Sequence, residues 1–273
     1  QILNNIIAAN RGGISLHNPG TEGTTFRGNF IGTDATGTLD LGNDGDAINM
    51  CCSSNGTQIG GTNPGDGNII AFNSGRGVFV ENSSGVSILG NRMFANGGMG
   101  IDHRPDGVGG GPAVPVITSV TEASGTTTIS GTLDSSASSV FRLEFFANAE
   151  PDPSVSGEGE IFLGAVSQST DGSGHLDFIA DFPTASVPAG SFLTATVTGP
   201  NNETSEFSRA FLPGADQLAA IQVVTNTSDT GPGSLRRALF NGAFHPNGAV
   251  PDEVHFDIPA ATDPGCIAAT GVC

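Results

Sequence analysis

Lysine, tryptophan and tyrosine are all missing from this chain of 273 residues. Its positive charge comes from nine arginines, which stand against 27 acidic residues and leave a formal net charge of -18 at pH 7. A chain this acidic would be repelled by nucleic acid and by anionic membrane surfaces. The sequence also lacks a run of about 18 apolar residues, the length that a membrane-spanning helix needs. We therefore predict neither nucleic-acid binding nor membrane insertion.

The same absences weigh against carbohydrate chemistry. Tryptophan and tyrosine supply the flat, amphipathic faces that suit sugar rings, and neither occurs. A lyase of acidic polysaccharide would need lysine or arginine beside the bound carboxylate, and lysine is absent. The chain is therefore expected not to be an enzyme, and a carbohydrate-active enzyme (a polysaccharide lyase or glycoside hydrolase) is kept as the alternative function.

A sequence motif recurs in the first hundred residues: asparagine, a spaced Ile or Met, a second asparagine, a glycine, and two apolar residues separated by one position. It occurs at Asn5–Leu16, Asn68–Val80 and Asn91–His103. Asn5 and Asn29 lie 24 residues apart, Asn68 and Asn91 lie 23 apart, and Asn29 and Asn68 lie 39 apart, which is one period plus an insertion. Repeats of this length predict a solenoid, because one unit cannot bury its own apolar face.

The apolar residues within each period alternate with polar or small ones, as at Ile14 and Leu16 and at Val78 and Val80. This is strand spacing, and the short runs are separated by Gly, Asn, Ser and Pro, so the predicted solenoid is a parallel β-helix. The recurring asparagines are expected at its corners, where equivalent side chains would stack and hydrogen-bond along a ladder. These are Asn5, Asn68 and Asn91, and Asn10, Asn73 and Asn96.

The Asn-led period ends at a Gly- and Pro-rich stretch, residues 107–115. Seven short strand candidates follow, which predict an Ig-like β-sandwich. They are 116–120, 126–133, 141–147, 161–167, 176–182, 192–198 and 206–211. The acidic segment 150–160 is interpreted as an exposed connector.

A third segment carries a strand at 221–225, a cap helix that Ser234 would begin, and a strand at 253–258. Leu235 and Leu239 would share one face of that helix. The predicted all-β chain thus comprises β-helix coils (residues 1–111), an Ig-like sandwich (112–213), and the cap and first strands of a further β-helix (214–273).

Two ends of one protein family are recognisable in these segments. Val224–Leu239, read as VTNTSDTGPGSLRRAL, and the following DEVHFDIP resemble the opening of secreted bacterial right-handed parallel β-helix proteins with a Cys-Ser-Leu-Arg-Glu-Ala signature. Gly233 stands in place of the Cys and Arg237 in place of the Glu. Residues 28–38 and 59–62 resemble late coils of the same family, and residues 194–208 resemble its bacterial Ig-like spacers.

The resemblance implies that the late coils precede the opening ones, so the missing coils must come from elsewhere. We therefore expect a repeat unit or subunit of an extracellular fibre, sheath or surface adhesin, secreted or held at the cell surface. Its partners would be copies of itself or adjacent repeats, with surface polysaccharide as a further candidate. The residues expected to carry assembly are Asn5, Asn68, Asn91, Ile88, Ile221, Val223, Leu235 and Leu239.

Two acidic groups are candidates for other chemistry. Asp34, Asp40, Asp44 and Asp46 offer oxygen ligands that suit calcium, although a solvated acidic loop is the simpler interpretation. No other cofactor is expected. Asp102 and Asp106 could act as a carboxylate pair in glycan hydrolysis, but their position beside the linker favours a capping turn.

Four cysteines allow three pairings if all are oxidised. A bridge from Cys266 to Cys273 is favoured over one between the adjacent Cys51 and Cys52, which we expect to be strained. Free, buried cysteines are the simpler interpretation.

Overall fold

The structure, a computed structural model, describes residues 1–17, 20–104, 113–152 and 157–213, and the backbone of 221–224 and 253–256. Over these ranges the chain is all-β, with one short 3-10 helix at Thr184–Ser186. In the same ranges we find no helix with the length and apolarity required to cross a lipid bilayer. The chain divides into two compact units, Gln1–Ala210 and Phe211–Cys273.

The first 104 residues form short strands, each of two to four residues. In chain order they are β1 (Ile2–Leu3), β2 (Ile6–Ile7), β3 (Ile14–Leu16), β4 (Thr25–Arg27), β5 (Phe30–Ile31), β6 (Ile48–Met50), β7 (Gln58–Gly60), β8 (Ile69–Ala71), β9 (Val78–Glu81), β10 (Ser87–Leu89), β11 (Arg92–Phe94) and β12 (Ile101–Arg104).

These strands pair in parallel into three four-stranded sheets, β1-β4-β7-β10, β2-β5-β8-β11 and β3-β6-β9-β12. Every sheet takes each third strand, so three consecutive strands make one coil and the four coils form a stack, here called the coil stack. The arrangement is compatible with the predicted parallel β-helix. The two ends of the stack are the first coil, β1 to β3, and the last coil, β10 to β12.

Columns of apolar side chains, one residue from each coil, fill the interior of the coil stack. In the register of the sheets the columns are Ile2, Phe26, Ile59 and Ile88; Ile7, Ile31, Ile70 and Met93; and Ile14, Ile48, Val78 and Ile101. Burying each such side chain contributes about 1.5–3 kcal/mol. The alternation seen in the sequence thus places every second strand residue in one shared core.

Glycine is required where one coil corner approaches the next. Gly32 has a φ of +85°, and a Cβ there would collide with the carbonyl oxygen of Ala71 and the side chain of Asn73. Gly60, with a φ of +79°, meets Leu89 and Asn91 in the same way. Both positions need left-handed backbone and have no room for a side chain.

The next six strands are antiparallel: β13 (Val116–Ala123), β14 (Thr126–Asp134), β15 (Val140–Asn148), β16 (Ile161–Ser169), β17 (His175–Pro183) and β18 (Phe192–Thr198). They form two sheets, β13-β14-β17 and β16-β15-β18. The two sheets contact each other through Phe145, whose ring centroid lies 5.7 Å from that of Phe178 and 5.5 Å from that of Phe182. We call residues 116–210 the antiparallel region.

The prediction of a seventh strand in this region, at 206–211, is wrong. Ser205 and Ser208 do donate backbone hydrogen bonds to Val197 and Ala195 of β18, but only isolated bridges form there. Thr204, just before them, also bonds to the coil stack, so this segment divides its hydrogen bonds between two partners.

The second unit contains a parallel strand pair, β19 (Ile221–Val224) and β20 (Glu253–Phe256). Ile221 pairs with Glu253, an offset of 253 − 221 = 32 residues, which falls within the 23 to 39 residues that separate stacked asparagines in the coil stack. The predicted cap helix, with Leu235 and Leu239, lies outside the described residues.

The cysteine expectation was wrong for the adjacent pair, because Cys51 and Cys52 form a disulfide bond. They lie at a sharp corner after β6, where Cys52 has a φ of 63° and Ser53 a φ of 79°. This left-handed turn brings the two neighbouring side chains together. Cys266 and Cys273 lie outside the described residues.

Candidate functional site

Asparagine side chains form a continuous ladder along one corner of the coil stack. The Nδ2 of Asn5 donates to Oδ1 of Asn29 (3.2 Å), Asn29 donates likewise to Asn68 (2.8 Å), and Asn68 to Asn91 (2.8 Å). The backbone N–H of Asn29 also donates to Oδ1 of Asn68 (2.9 Å). The hydrogen bonding predicted for Asn5, Asn68 and Asn91 is confirmed, whereas a role in assembly stays a prediction.

A second ladder follows another corner. Asn10 donates to Asn43 (3.0 Å), Asn43 to Asn73 (2.8 Å), and Asn73 to Asn96 (2.9 Å). Asn29 and Asn43 were not among the predicted ladder residues, although Asn29 follows Asn5 by one regular period of 24 residues. Asn43 lies 33 residues after Asn10, because the insertion lengthens that interval. A signal for both exists in the sequence, since each directly follows a glycine, as Asn68 and Asn91 do.

The third corner carries hydroxyl groups instead of amides. The Oγ1 of Thr21 lies 3.0 Å from the Oγ of Ser54, and the backbone N–H of Ser54 donates to the Oγ of Ser83 (3.1 Å). Each corner therefore satisfies buried polar groups with side chains from the neighbouring coil.

The first coil is the exposed end of the coil stack. Within the described residues, β1, β2 and β3 each pair on one side only, with β4, β5 and β6. Leu3 and Ile6 are exposed apolar side chains on this edge. Phe30 and Gly32 donate to the carbonyls of Asn5 and Ile7. The peptide groups of Ile6, between them, therefore point away from the second coil.

The antiparallel region covers the last coil. Met93 of β11 and Gly159 exchange two backbone hydrogen bonds of 2.8 Å each. Thr204 accepts from the backbone N–H of Ile88 through its hydroxyl (2.8 Å) and donates its own N–H to Val86 (3.1 Å). Met93 and Gly159 thus form a short antiparallel bridge on the edge of β11, and Thr204 hydrogen-bonds beside β10.

The third sheet is covered through His103 of β12. Its backbone N–H donates to the Glu206 carboxylate (3.0 Å), and its Nε2 donates to the carbonyl of Thr204 (2.8 Å). Burial lowers the pKa of His103, although the Thr204 carbonyl and nearby acidic groups oppose this. All three sheets of the coil stack therefore end on the antiparallel region.

Two buried glutamates meet the corners of the last coil. Glu158 accepts from Nδ2 of Asn96 (2.8 Å) and so ends the second asparagine ladder. Glu144 accepts from the backbone N–H of Gly90 (2.8 Å), beside the first ladder. Arg142 lies 2.8 Å from Glu144 as its ion-pair partner.

Burial raises the pKa of Glu158 to about 8, and the nearby charge of Asp152 adds to this. Burial also raises the pKa of Glu144, against the hydrogen bond from Gly90 and the charge of Arg142. The interpretation of residues 150–160 as an exposed connector was wrong, because Asp152 and Glu158 are buried. Glu158 is held against the coil stack, which no local sequence signal indicates.

The other residues expected in assembly have different surroundings. Ile88 is in the core of the last coil, at the covered end, so its side chain is not presented to another subunit. Ile221 and Val223 lie in β19. Leu235 and Leu239 fall outside the described residues.

The four aspartates proposed for calcium are engaged separately. Asp34 accepts from Thr36, Thr38 and Leu39, and its pKa is lowered chiefly by the Thr36 hydrogen bond. In three separate contacts, Asp40 accepts from Gly42, Asp44 from Ser74, and Asp46 from Arg76. Within the described ranges, three potential metal ligands converge only at His17, Cys51 and Cys52. The calcium hypothesis gains no support from this geometry and stays a prediction.

Arg76 bridges two carboxylates, one on each of the two coils that flank its own coil. It lies 2.8 Å from Asp46 and 2.9 Å from Asp102, and its guanidinium stacks 3.5 Å above the centre of the Phe79 ring. Burial tends to raise the pKa of Asp46, but hydrogen bonds from Arg76 and Asn49 lower it overall. Asp102 is thus held in an ion pair between coils, and its suggested catalytic partner, Asp106, lies outside the described residues.

No protein-family model matches this sequence. A comparison with curated proteins gives no match either.

Proposed function

We propose that this chain is a structural repeat unit or subunit of an extracellular fibre, sheath or surface adhesin. Coil stacks would join end to end, separated by Ig-like spacers formed by the antiparallel region. The observation that carries this proposal is the difference between the ends of the coil stack. The last coil ends on the antiparallel region, whereas no described strand pairs with the outer edges of β1, β2 and β3 in the first coil. Such edges pair with further strands unless they are covered.

The occupant we propose for the first coil is the second unit of another copy of this chain. Its β19 and β20 are parallel, with the offset of one coil, so they supply the strand direction that β1, β2 and β3 require. Contact between two different surfaces of identical chains is heterologous and extends into a filament when it does not close. The resemblance of residues 224–259 to the opening of secreted β-helix proteins supports the same assignment and an extracellular location.

The test is assembly of the purified full chain, followed by light scattering after size exclusion and by negative-stain electron microscopy over a range of concentrations. Ile6→Pro removes an outward N–H from the open edge and leaves the hydrogen bonds to the second coil in place. Its matched control is Ile179→Pro on β17, another edge strand. Ile6 and Ile179 are 55% and 58% exposed, and the Ile179 carbonyl accepts from Gln168 instead of β14.

We expect concentration-dependent filaments from the wild type and from Ile179→Pro, and loss of filaments from Ile6→Pro with an unchanged circular dichroism spectrum. A wild-type chain that stays monomeric at every concentration would overturn assembly between separate copies. If the purified chain is monomeric, mass spectrometry of the native polypeptide distinguishes a covalent array from a single chain. A mass that is a multiple of this chain indicates a covalent array, and the mass of a single compact chain contradicts the structural role.

A further inference from the structure

We propose that His17, Cys51 and Cys52, when the cysteines are reduced, form a binding site for a thiophilic d10 metal ion, Cu(I) or Zn(II). The site lies at the corner of the coil stack where β3 and β6 end. Leu16 and Met50 are partners in the parallel register, so the next residue on each strand, His17 and Cys51, stack directly. The Nδ1 of His17 lies 2.8 Å from the Sγ of Cys51.

The three ligand atoms already converge. The Nδ1 or Nε2 of His17 and the two Sγ atoms lie within 4.8 Å of one another. Thiolate is a soft ligand and imidazole a borderline one, and both favour Cu(I) and Zn(II) over Ca²⁺ or Mg²⁺. Cu(I) is satisfied by three such donors, whereas Zn(II) would complete a tetrahedron with one water.

Burial and charge also suit a cation. Cys51 is buried, while His17 and Cys52 are exposed, so one side of the cluster is enclosed and the other provides an entry path. Two thiolates would neutralise Zn(II) and outweigh Cu(I), and the chain as a whole is strongly acidic. In the next coil the position in register with Cys51 is Glu81, and the position in register with Glu81 in the last coil is Arg104. The sulfur cluster therefore belongs to the first two coils.

The disulfide bond makes this site dependent on redox state. A disulfide sulfur is not a thiolate, so the oxidised pair lacks two of the three ligands. Reduction adds two electrons and two protons to the Cys51–Cys52 bond and gives two thiols, with a thiol or phosphine as the reductant. Metal binding then releases the two thiol protons to solvent.

The experiment uses the full chain in a Cys266→Ser, Cys273→Ser background, so that the other cysteines do not contribute. After reduction with a phosphine and its removal without oxygen, Zn(II) and Cu(I) are titrated separately against chromophoric chelators. Co(II) serves as a spectroscopic probe, since thiolate ligation gives a near-ultraviolet charge-transfer band. The variants are Cys52→Ser and His17→Gln, with His175→Gln on the antiparallel region as the matched histidine control.

We expect one ion per reduced chain and none per oxidised chain. Cys52→Ser should weaken metal binding by a larger factor than the roughly 10- to 100-fold that is typical of losing an outer-shell partner. His17→Gln should weaken binding while keeping the thiolate band, and His175→Gln should match the background chain. The proposal is overturned if the reduced background chain binds neither ion more tightly than Cys51→Ser, Cys52→Ser does. All variants are compared by circular dichroism. Because the readout is metal binding, the result does not depend on whether the chain forms filaments.

Discussion

The coil stack and the antiparallel region solve the same problem, the burial of a β-sheet face, with different side chains. The fully buried phenylalanines include Phe141, Phe145, Phe178 and Phe192 in the antiparallel region and Phe26 in the coil stack. The coil stack instead buries asparagines at its corners, and each is bonded to its counterpart one coil away. Parallel stacking places identical residues in register. A side chain that is both donor and acceptor can therefore donate a hydrogen bond to its counterpart on one neighbouring coil and accept one from its counterpart on the other.

The comparison shows where specificity comes from in each region. Aromatic packing between two sheets tolerates small shifts, because dispersion and burial are not directional. An amide ladder does not, because a coil that slips by one residue leaves buried donors and acceptors without partners. The asparagine ladders therefore define the register of the coil stack in addition to stabilising it.

The largest expected effect on stability is in the aromatic core of the antiparallel region. Phe145→Ala removes a fully buried ring that contacts Phe178 and Phe182, and should lower the free energy of unfolding by about 3–5 kcal/mol. Urea denaturation followed by circular dichroism measures this. Phe162→Ala, at a ring that is 38% exposed, is the control and should have a clearly smaller effect. Equal losses at both positions would contradict the packing argument.

Asn68→Ala tests the ladder at a buried rung. Its loss leaves the Nδ2 and the backbone N–H of Asn29 and the carbonyl of Phe26 without their Asn68 partner, whereas Asn91 Oδ1 still accepts from the backbone N–H of residue 68. Since an orphaned buried polar group costs about 1–3 kcal/mol, a loss of about 2–3 kcal/mol is expected in the same denaturation assay. Asn5→Ala, at the exposed end, should cost about 1 kcal/mol or less. If the two variants are equally stable, the buried ladder has no special role.

Glu158 links the two regions, and its raised pKa predicts how their stability depends on pH. The folded chain keeps the Glu158 proton up to a pKa of about 8, whereas the unfolded chain releases it near the ordinary value of 4.5. The folded state therefore binds more protons between these values, and its stability should fall as pH rises from about 4.5 to about 8. Burial shifts the pKa of Glu144 upward too, so the effect has the same sign there.

Glu158→Gln checks this, because Gln keeps an acceptor for Asn96 but has no proton to lose. Denaturation between pH 5 and pH 8 should show a shallower decline for this variant than for the wild type, with the slope that remains assigned to Glu144 and other groups. Glu160→Gln, on the same segment, is the control and should keep the wild-type slope. An unchanged slope in Glu158→Gln would mean that Glu158 is ionised in the folded chain.

The smallest expected effect compares the hydroxyl corner with the amide corners. Ser83→Ala removes the acceptor of the Ser54 backbone N–H and the donor to the Glu81 carbonyl, and should cost about 1 kcal/mol. This is less than for Asn68→Ala, because two hydrogen bonds are lost instead of four. Hydrogen exchange of the Ser54 amide should also accelerate. A cost as large as that of Asn68→Ala would show that the hydroxyl corner is the stronger constraint.

Much of this architecture is readable in the sequence, and the failures have particular causes. Apolar alternation predicts the coil strands, and turn residues separate them, because both are local properties. Asn43 escapes a search by period because an insertion lengthens one coil, although the glycine before it marks it as it marks Asn29. The bond between Cys51 and Cys52 depends on left-handed backbone at a corner, which two adjacent cysteines do not reveal.

Local spacing along the chain was sufficient to specify the repeat and most rungs of the asparagine ladders, because stacking in register turns a period in sequence into contact in space. The covering of the last coil arises only in three dimensions. Ile88 and Thr204 are 116 residues apart, and Asn96 and Glu158 are 62 apart, with no repeat connecting them. Glu158 reads as part of a solvated acidic segment until the chain folds, and the coil end against which it packs removes it from water and raises its pKa.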